Sequence, residues 1–524
     1  MTDPVRMTDS ARKADSARNL TRTAWFAPLV VGILGVAAAA YGTWRPSFWY
    51  DEAATVSATD RSLRQIGGLV EHTDLVHAAY YFVMHTWTSV FGYSEFALRF
   101  PSALAVGAAG AALVVLGERL CDRRFGIVAG VVLVAMPRTM WAGSEARSYA
   151  GTLLLAVLFT LALLIALDRG CWWWAAYAAL GVATAIWFFL SVTVILAHVV
   201  IVVILRRQSR IQDRIPLGFW CAAAGIAAVV LPFGWAAFRQ REQVSWIPPM
   251  SADTLASYSL FEIPDGSVVY LVVAALVLVC GVAAAALAGV TAGSWQVLFV
   301  GLAWWLVPTI VVLAYSWLAT PTYTPRYLIV ALPGVALALG WSVLQLARGR
   351  LWLVVTITGL LVAVTIPHYL GQRAPYGRFG GTDFSQVADY IGDHARPGDC
   401  VAFAEQPTWS PVSMRVVRAA KPADFVGLRD VGPHRPAASS DMLWDTDRPV
   451  TAYTEFARTC GVIWVVTDAE RDRRSDLLPG GTTYWRFELY HFTSTPLYRE
   501  LSGAGLHLAG RTQFNNSQVI EMRR

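Results

Sequence analysis

Residues 25–52 read WFAPLVVGILGVAAAAYGTWRPSFWYDE, and the change of character inside that stretch decides how the chain is read. Trp25 to Thr43 is an apolar run close to the ~20 residues that a helix needs to cross the hydrocarbon core of a membrane. Phe48, Trp49 and Tyr50 are the aromatic belt that favours a membrane–water boundary. Asp51 and Glu52 then place two carboxylates at that boundary, a costly arrangement unless they bind or react with something. A solvated helix cap beside an aromatic belt is the competing reading, because acids favour helix N-termini.

The same apolar pattern recurs near 100–118, 124–141, 149–167, 172–188, 190–206, 216–236, 268–290, 294–316, 327–346 and 351–369, about eleven predicted spans by the length criterion. The long run from Trp172 to Leu205 is split near Phe189 to Ser191. Of the 524 residues, 56% are hydrophobic and 15% charged, where a soluble protein carries roughly 25% charged residues. The net charge of +6 does not point to nucleic acid, because the basic residues cluster at span ends. The polar, basic residues 1–24 read as a cytoplasmic tail ahead of a retained first helix, with no cleavage site.

Arg6, Arg12, Lys13, Arg18 and Arg22 put that tail inside. Arg119, Arg123, Arg124, Arg169, Arg206, Arg207, Arg210, Arg214, Arg348 and Arg350 then fall in alternate loops, as the positive-inside rule requires. An odd number of spans leaves the C-terminus outside. The outer segments become the loop 44–99, the short connections 142–148 and 317–326, the loop 237–267 and the tail from about 371. Within the first loop, His77 to Val90 reads as an interfacial amphipathic stretch, with Tyr80, Tyr81, Phe82, Met84 and Trp87 toward lipid. The sequence thus predicts a transmembrane domain over 25–370 and an extracytoplasmic α/β domain over 371–524, with a helix at Phe384–Ala395 and strands at Cys400–Ala404 and Gly461–Val466. Cys400 and Cys460 could pair in an oxidising compartment or remain buried thiols.

One outer face would then gather the chemistry. Asp51, assisted by Glu52, suits general-base catalysis on an acceptor hydroxyl. Asp74 and His77, three residues apart, share a helical face and could meet a metal or a headgroup, or act as an N-cap and an interfacial histidine. Arg99, Arg147 and Arg326 violate the inside bias and suit a phosphate, unless each is a snorkelling anchor. Tyr149 and Tyr327 stand beside two of them, and Glu145, Gln243 and Trp246 complete the candidates. The loop carrying Gln243 and Trp246 could close over substrate or be an ordered connector. A divalent ion on Asp51, Asp74 or His77 is open.

The Asp51-Glu52 pair, Asp74 followed by Tyr80-Tyr81, LRFPSAL at 98–104, EARSYA at 145–150 and RYL at 326–328 together resemble the GT-C glycosyltransferases. The segment is most similar to the protein O-mannosyltransferase and lipid A aminoarabinose transferase branch, in its actinobacterial form. Commoner relatives carry His-Pro-Pro-Leu before the tyrosine pair, where this chain has Val76-His77-Ala78-Ala79. The resemblance, over about residues 25 to 370, implies a polyprenyl-phosphate sugar donor and inverting displacement with Asp51 as base. It further implies donor-phosphate contacts from Arg99, Arg147, Tyr149, Arg326 and Tyr327. Acceptor or sugar contacts would come from Asp74, His77, Tyr80, Tyr81, Glu145, Gln243 and Trp246. Mannose, and a cell-envelope glycan, lipoglycan or glycolipid acceptor at the plasma membrane, follow from the branch. A protein O-mannosyltransferase or an arabinosyltransferase of the same fold is the nearest alternative. From another class, a lipid-linked glycan flippase would need ionisable residues at the bilayer midplane, whereas those here concentrate at one surface.

Overall fold

The computed structural model describes residues 25–170, 172–206, 216–253, 255–256, 262–432, 434–447, 453, 457–476 and 486–524. The predicted tail 1–24, Cys171 and the arginines Arg207, Arg210 and Arg214 lie outside the described residues.

Among the described residues, eight helices are individually long and apolar enough to cross a membrane, and nine if the bent pair Arg123–Ala135 and Pro137–Gly143 is taken as one span. The predicted count of about eleven is not reached by this measure. Phe26–Ala40 has 15 residues and Trp172–Trp187 has 16, both short of a full crossing. The break expected near Phe189 is present as the short 3-10 turn Phe189–Val192. The bend of 65° at Met136 has a local cause: proline at 137 drives the preceding residue out of the helical region, and Met136 is extended, with φ −61° and ψ 135°.

Close packing of the apolar helix Phe26–Ala40 against the span Glu95–Leu120 depends on small residues. A Cβ at Gly107 would lie 2.4 Å from the carbonyl oxygen of Gly32 and 2.4 Å from a Val36 methyl, so the backbones of Phe26–Ala40 and Glu95–Leu120 touch there. Such contact is the usual way membrane helices gain packing energy without a hydrophobic drive between them.

Residues 50–91 fold as three helices, Tyr50–Thr59, Leu63–His72 and Ala78–Phe91. The second opens with a reciprocal capping box between Ser62 and Gln65. Tyr80, Tyr81 and Met84 point into the protein and are buried, while Phe82, Val83 and Val90 are exposed. The lipid-facing assignment of the first three is therefore corrected. They face inward because their cluster continues into the C-terminal part: Phe48, Leu69 and Tyr81 share one apolar core with Phe384, Val401, Val465 and Ile520.

That C-terminal part holds a five-stranded sheet in the order Arg429–Asp430, Cys400–Phe403, Val462–Asp468, Ser517–Arg523, His507–Gln513. The first two pairings are parallel and the last two antiparallel. The helix Phe384–His394 precedes it. Cys400 and Cys460 are joined as a disulfide. Asp383 anchors the final strand, its carboxylate accepting from the backbone N–H groups of Asn516 and Ser517 at 2.7 and 2.8 Å.

Candidate active site

Between the membrane helices, the 50–91 segment and the C-terminal part lies a cavity of about 1580 Å³. Asp51 lines it from the first turn of Tyr50–Thr59. Its side chain is buried, its Oδ2 accepts no hydrogen bond, and Arg326 Nη1 stands 3.7 Å away. A buried carboxylate oxygen with free lone pairs in a cavity is a place for a proton to go. Arg326 is held by aromatic faces, its guanidinium carbon lying 5.7 Å from the Trp49 ring and 5.1 Å from the Trp246 ring.

Glu52, one residue on, is placed differently. It is fully buried against Arg99, whose Nε and Nη2 donate to its two carboxylate oxygens at 2.7 and 2.6 Å. The rest of that guanidinium donates to the carbonyls of Thr43, Pro46 and Ser47, and Ala146 N–H completes the Glu52 shell at 3.0 Å. Arg99 and Glu52 do not line the cavity. Arg99 has no donor left for a phosphate, and Glu52 has no free face from which to assist a base. Burial alone would raise the Glu52 carboxyl, but Arg99 outweighs it and holds it below its ordinary range. The pair ties the 43–47 connection to the next span.

Glu145 is also buried off the cavity, accepting from Trp49 Nε1 at 2.6 Å, with Arg378 Nη1 3.5 Å away. Burial first, and the nearby Glu52 charge second, push its carboxyl up to about 8. Two acids compete for one site, and Glu52 has taken the better cation. Glu145 therefore positions Trp49 and, through it, the start of the helix carrying Asp51.

Asp74 lines the cavity in a left-handed backbone conformation with φ 59°. Its Oδ2 accepts from Tyr81 Oη at 2.6 Å, and Tyr81 in turn accepts from Arg147 Nη1 at 3.0 Å. Gln243 and Gln240 accept from the backbone N–H groups of Asp74 and Leu75 at 2.9 and 3.0 Å, fastening the 240–247 segment to the first loop. Tyr81 and Tyr80 lie behind this wall, Tyr80 packing edge-on against Trp187 at 5.8 Å. His77 lines the cavity near Ser148, with Nδ1 3.4 Å from Ser148 Oγ. Burial, then the charges of Arg147 and Arg326, hold its imidazole well below the ordinary range and hence neutral. The candidate metal ligands Asp51, Asp74 and His77 do not converge. Among the described residues no group of three metal-binding side chains does.

Tyr149, Tyr327, Gln243 and Trp246 complete the predicted residues on the cavity wall. Two arginines that sequence reasoning passed over join Arg147 and Arg326 there. Arg138 follows the Pro137 bend and pairs with Asp265 at 2.9 Å, while Arg378 comes from beyond the last span and donates to Ser144 O. Asp265 is further held by His368 at 2.9 Å and Gln372 at 2.7 Å. The signal for Arg138 was the Met136-Pro137 pair, which marks a helix break inside the expected span. Arg378 sits in no motif.

Residues 78–235 match the family model described as dolichyl-phosphate-mannose-protein mannosyltransferase. No curated protein matches the chain. Among solved structures, ArnT from Cupriavidus metallidurans in the apo state is similar, with a TM-score of 0.54 at 12% identity over 96% of this chain and 98% of that one. ArnT bound to undecaprenyl phosphate gives 0.49 at 12% over 94% and 96%. The Archaeoglobus fulgidus oligosaccharyltransferase in the apo form gives 0.45 at 11% over 84% and 69%. At these identities the likeness to apo ArnT is one of fold, and the other two scores carry nothing further. The family match is confined to residues 78–235, and over nearly its whole length the chain shares the fold of ArnT, that of a multi-pass membrane protein with a C-terminal sheet.

Proposed function

We propose that the protein moves a sugar, mannose in the first instance, from a polyprenyl-phosphate carrier to a hydroxyl of a cell-envelope glycan or lipoglycan at the outer face of the plasma membrane. The observation that carries this is Asp51 Oδ2, buried, accepting no hydrogen bond, and set beside an arginine-lined cavity. The acceptor oxygen attacks the anomeric carbon, its proton passes to the Asp51 carboxylate, and the bond from that carbon to the phosphate oxygen breaks. The electron pair leaves with the carrier phosphate, and a single displacement inverts the centre. Arg147 and Arg326, with Arg138 beside them, stabilise the charge that develops on that phosphate. The description of the family matched by residues 78–235 names dolichyl-phosphate-mannose, which supports a lipid-phosphate carrier and mannose as the first sugar. The arginine distribution in the sequence supports an inner N-terminus, and the Cys400–Cys460 disulfide fits an oxidising outer compartment for the C-terminal part.

Asp51→Asn should lower transfer from a polyprenyl-phosphate sugar by roughly 10²–10⁴-fold while thermal unfolding in detergent stays where it was. Wild-type rates in that variant, with product identified by mass spectrometry, would remove Asp51 from the mechanism.

A further inference from the structure

The cavity's arginines are unevenly distributed along the chain. Arg138, Arg147 and Arg326 come from the membrane helices or their connections and Arg378 from just beyond the last span, in company with Asp74 and with Asp265, which pairs with Arg138. Another stretch of wall is built by residues 405–406, 411–413 and 442–447 of the C-terminal part, and the charged side chains that line it are Glu405, Asp445 and Asp447. Asp447 is partly neutralised by Arg415, Arg61 donates to the carbonyls of Met442 and Leu443 beside Asp445, and Asp445 accepts from the backbone N–H of Ala437 at 2.8 Å, which leaves Glu405 as the acid with the least compensation. Glu405 is exposed. Asp51 faces Arg326 across 3.7 Å, and its neighbour Tyr50 is joined to the acidic wall by Trp444. Their rings are 5.0 Å apart, with the indole N–H donating to Tyr50 Oη at 3.0 Å.

A phosphate-bearing donor belongs beside the arginines, so the acceptor has to approach Asp51 along the acidic wall. Carboxylates there accept hydrogen bonds from hydroxyls, and a half-exposed indole offers a face to the C–H side of a sugar ring. The same carboxylates repel a phosphate before it reaches Asp51. We infer that the acceptor is a neutral, hydroxyl-rich glycan bound along the wall of Glu405, Trp444 and Asp445, and that this wall discriminates against acceptors carrying phosphate near the attacking hydroxyl. The inference rests on the transferase reading above and adds the charge class of its second substrate.

The test uses the full-length protein in detergent at low ionic strength, with whichever polyprenyl-phosphate sugar it consumes fastest from a panel of hexoses and pentoses. Two acceptors are compared, an alkyl oligomannoside and the same compound carrying a 6-phosphate, with release of free sugar to water followed in parallel. Transfer to the neutral acceptor should be about tenfold faster, and the preference should shrink as salt is raised. The double substitution Glu405→Gln and Asp445→Asn should narrow the ratio several-fold. Both carboxamides keep the side-chain size, and Asn at 445 still accepts from Ala437. Trp444→Phe should raise KM for the neutral acceptor without raising that for the donor. Equal or better use of the phosphorylated acceptor, or a ratio untouched by the double substitution, overturns the inference while leaving a working transferase. No consumption of any donor, even by water, instead brings down the transferase reading and this inference with it.

Discussion

The two adjacent acids at 51 and 52 show how one residue of sequence separates chemistry from architecture. Being consecutive on a helix, they point about 100° apart, so only one can face the cavity. Asp51 does, and Glu52 turns to Arg99, which is 47 positions away in the chain. Spacing along the sequence marked both acids as candidates but carried no information on that partner. Removing one member of a fully buried ion pair leaves the other charge stranded, which costs about 3–5 kcal/mol. Glu52→Ala and Arg99→Ala should therefore each lower the unfolding temperature strongly, and the double substitution should cost less than their sum, as a thermal double-mutant cycle would register. Glu145 makes a different prediction. Its folded carboxyl titrates near 8, above its ordinary 4.5, so its contribution to stability is intact below the unfolded value and is lost as pH rises through 8. Glu145→Gln keeps an acceptor for the Trp49 indole and removes the titration. The fall in unfolding temperature between pH 6 and 9 should be shallower in that variant than in the wild type.

Among the elements, those defined by long apolar runs were legible, because twenty apolar residues have few other destinations in a chain this hydrophobic. What periodicity could not supply was the bend at Pro137 and the tight crossing at Gly107, since both depend on which neighbour lies alongside. The C-terminal helix and two strands fell close to their expected places, Phe384–His394, Cys400–Phe403 and Val462–Asp468, whereas the neighbouring order of the strands was beyond local sequence. Gly107→Ala should separate the helices Phe26–Ala40 and Glu95–Leu120 and destabilise the protein by about 1–3 kcal/mol, measured as a lower midpoint in detergent-driven or thermal unfolding. The 240–247 segment is fastened to the first loop by Gln240 and Gln243. Gln243→Ala removes the acceptor for the Asp74 N–H, and that loop should become more open to limited proteolysis, with KM for the donor rising more than kcat falls.

At the scale of the molecule, the cavity belongs to no single stretch of chain. Asp51 and Asp74 come from the first loop, Arg138 from the third predicted span, Arg147 from the connection before the fourth, Arg326 from the start of a late span, and Trp444 from the C-terminal part. Sequence reasoning found the first and last parts of the membrane side because their motifs are local. It missed the Glu405 to Asp447 wall, whose residues match no motif and are brought there by the sheet. The disulfide is the covalent part of that support. Cys400→Ser with Cys460→Ser should cost about 2–4 kcal/mol, read as a lower midpoint for unfolding of the C-terminal part, and the same shift should follow addition of reductant to the wild type.

The strand Ser517–Arg523 lies inside the sheet, between Val462–Asp468 and His507–Gln513, not at its edge. A ribosome delivers Asp51 and all the membrane helices before this strand. The sheet that supports the acidic wall has a gap in its middle until then, so every membrane helix can be inserted while the reaction chamber still lacks a finished side. A chain truncated before Ser517 should hold its donor end and be unable to transfer, because the wall that meets the acceptor would lack the strand at the middle of its supporting sheet.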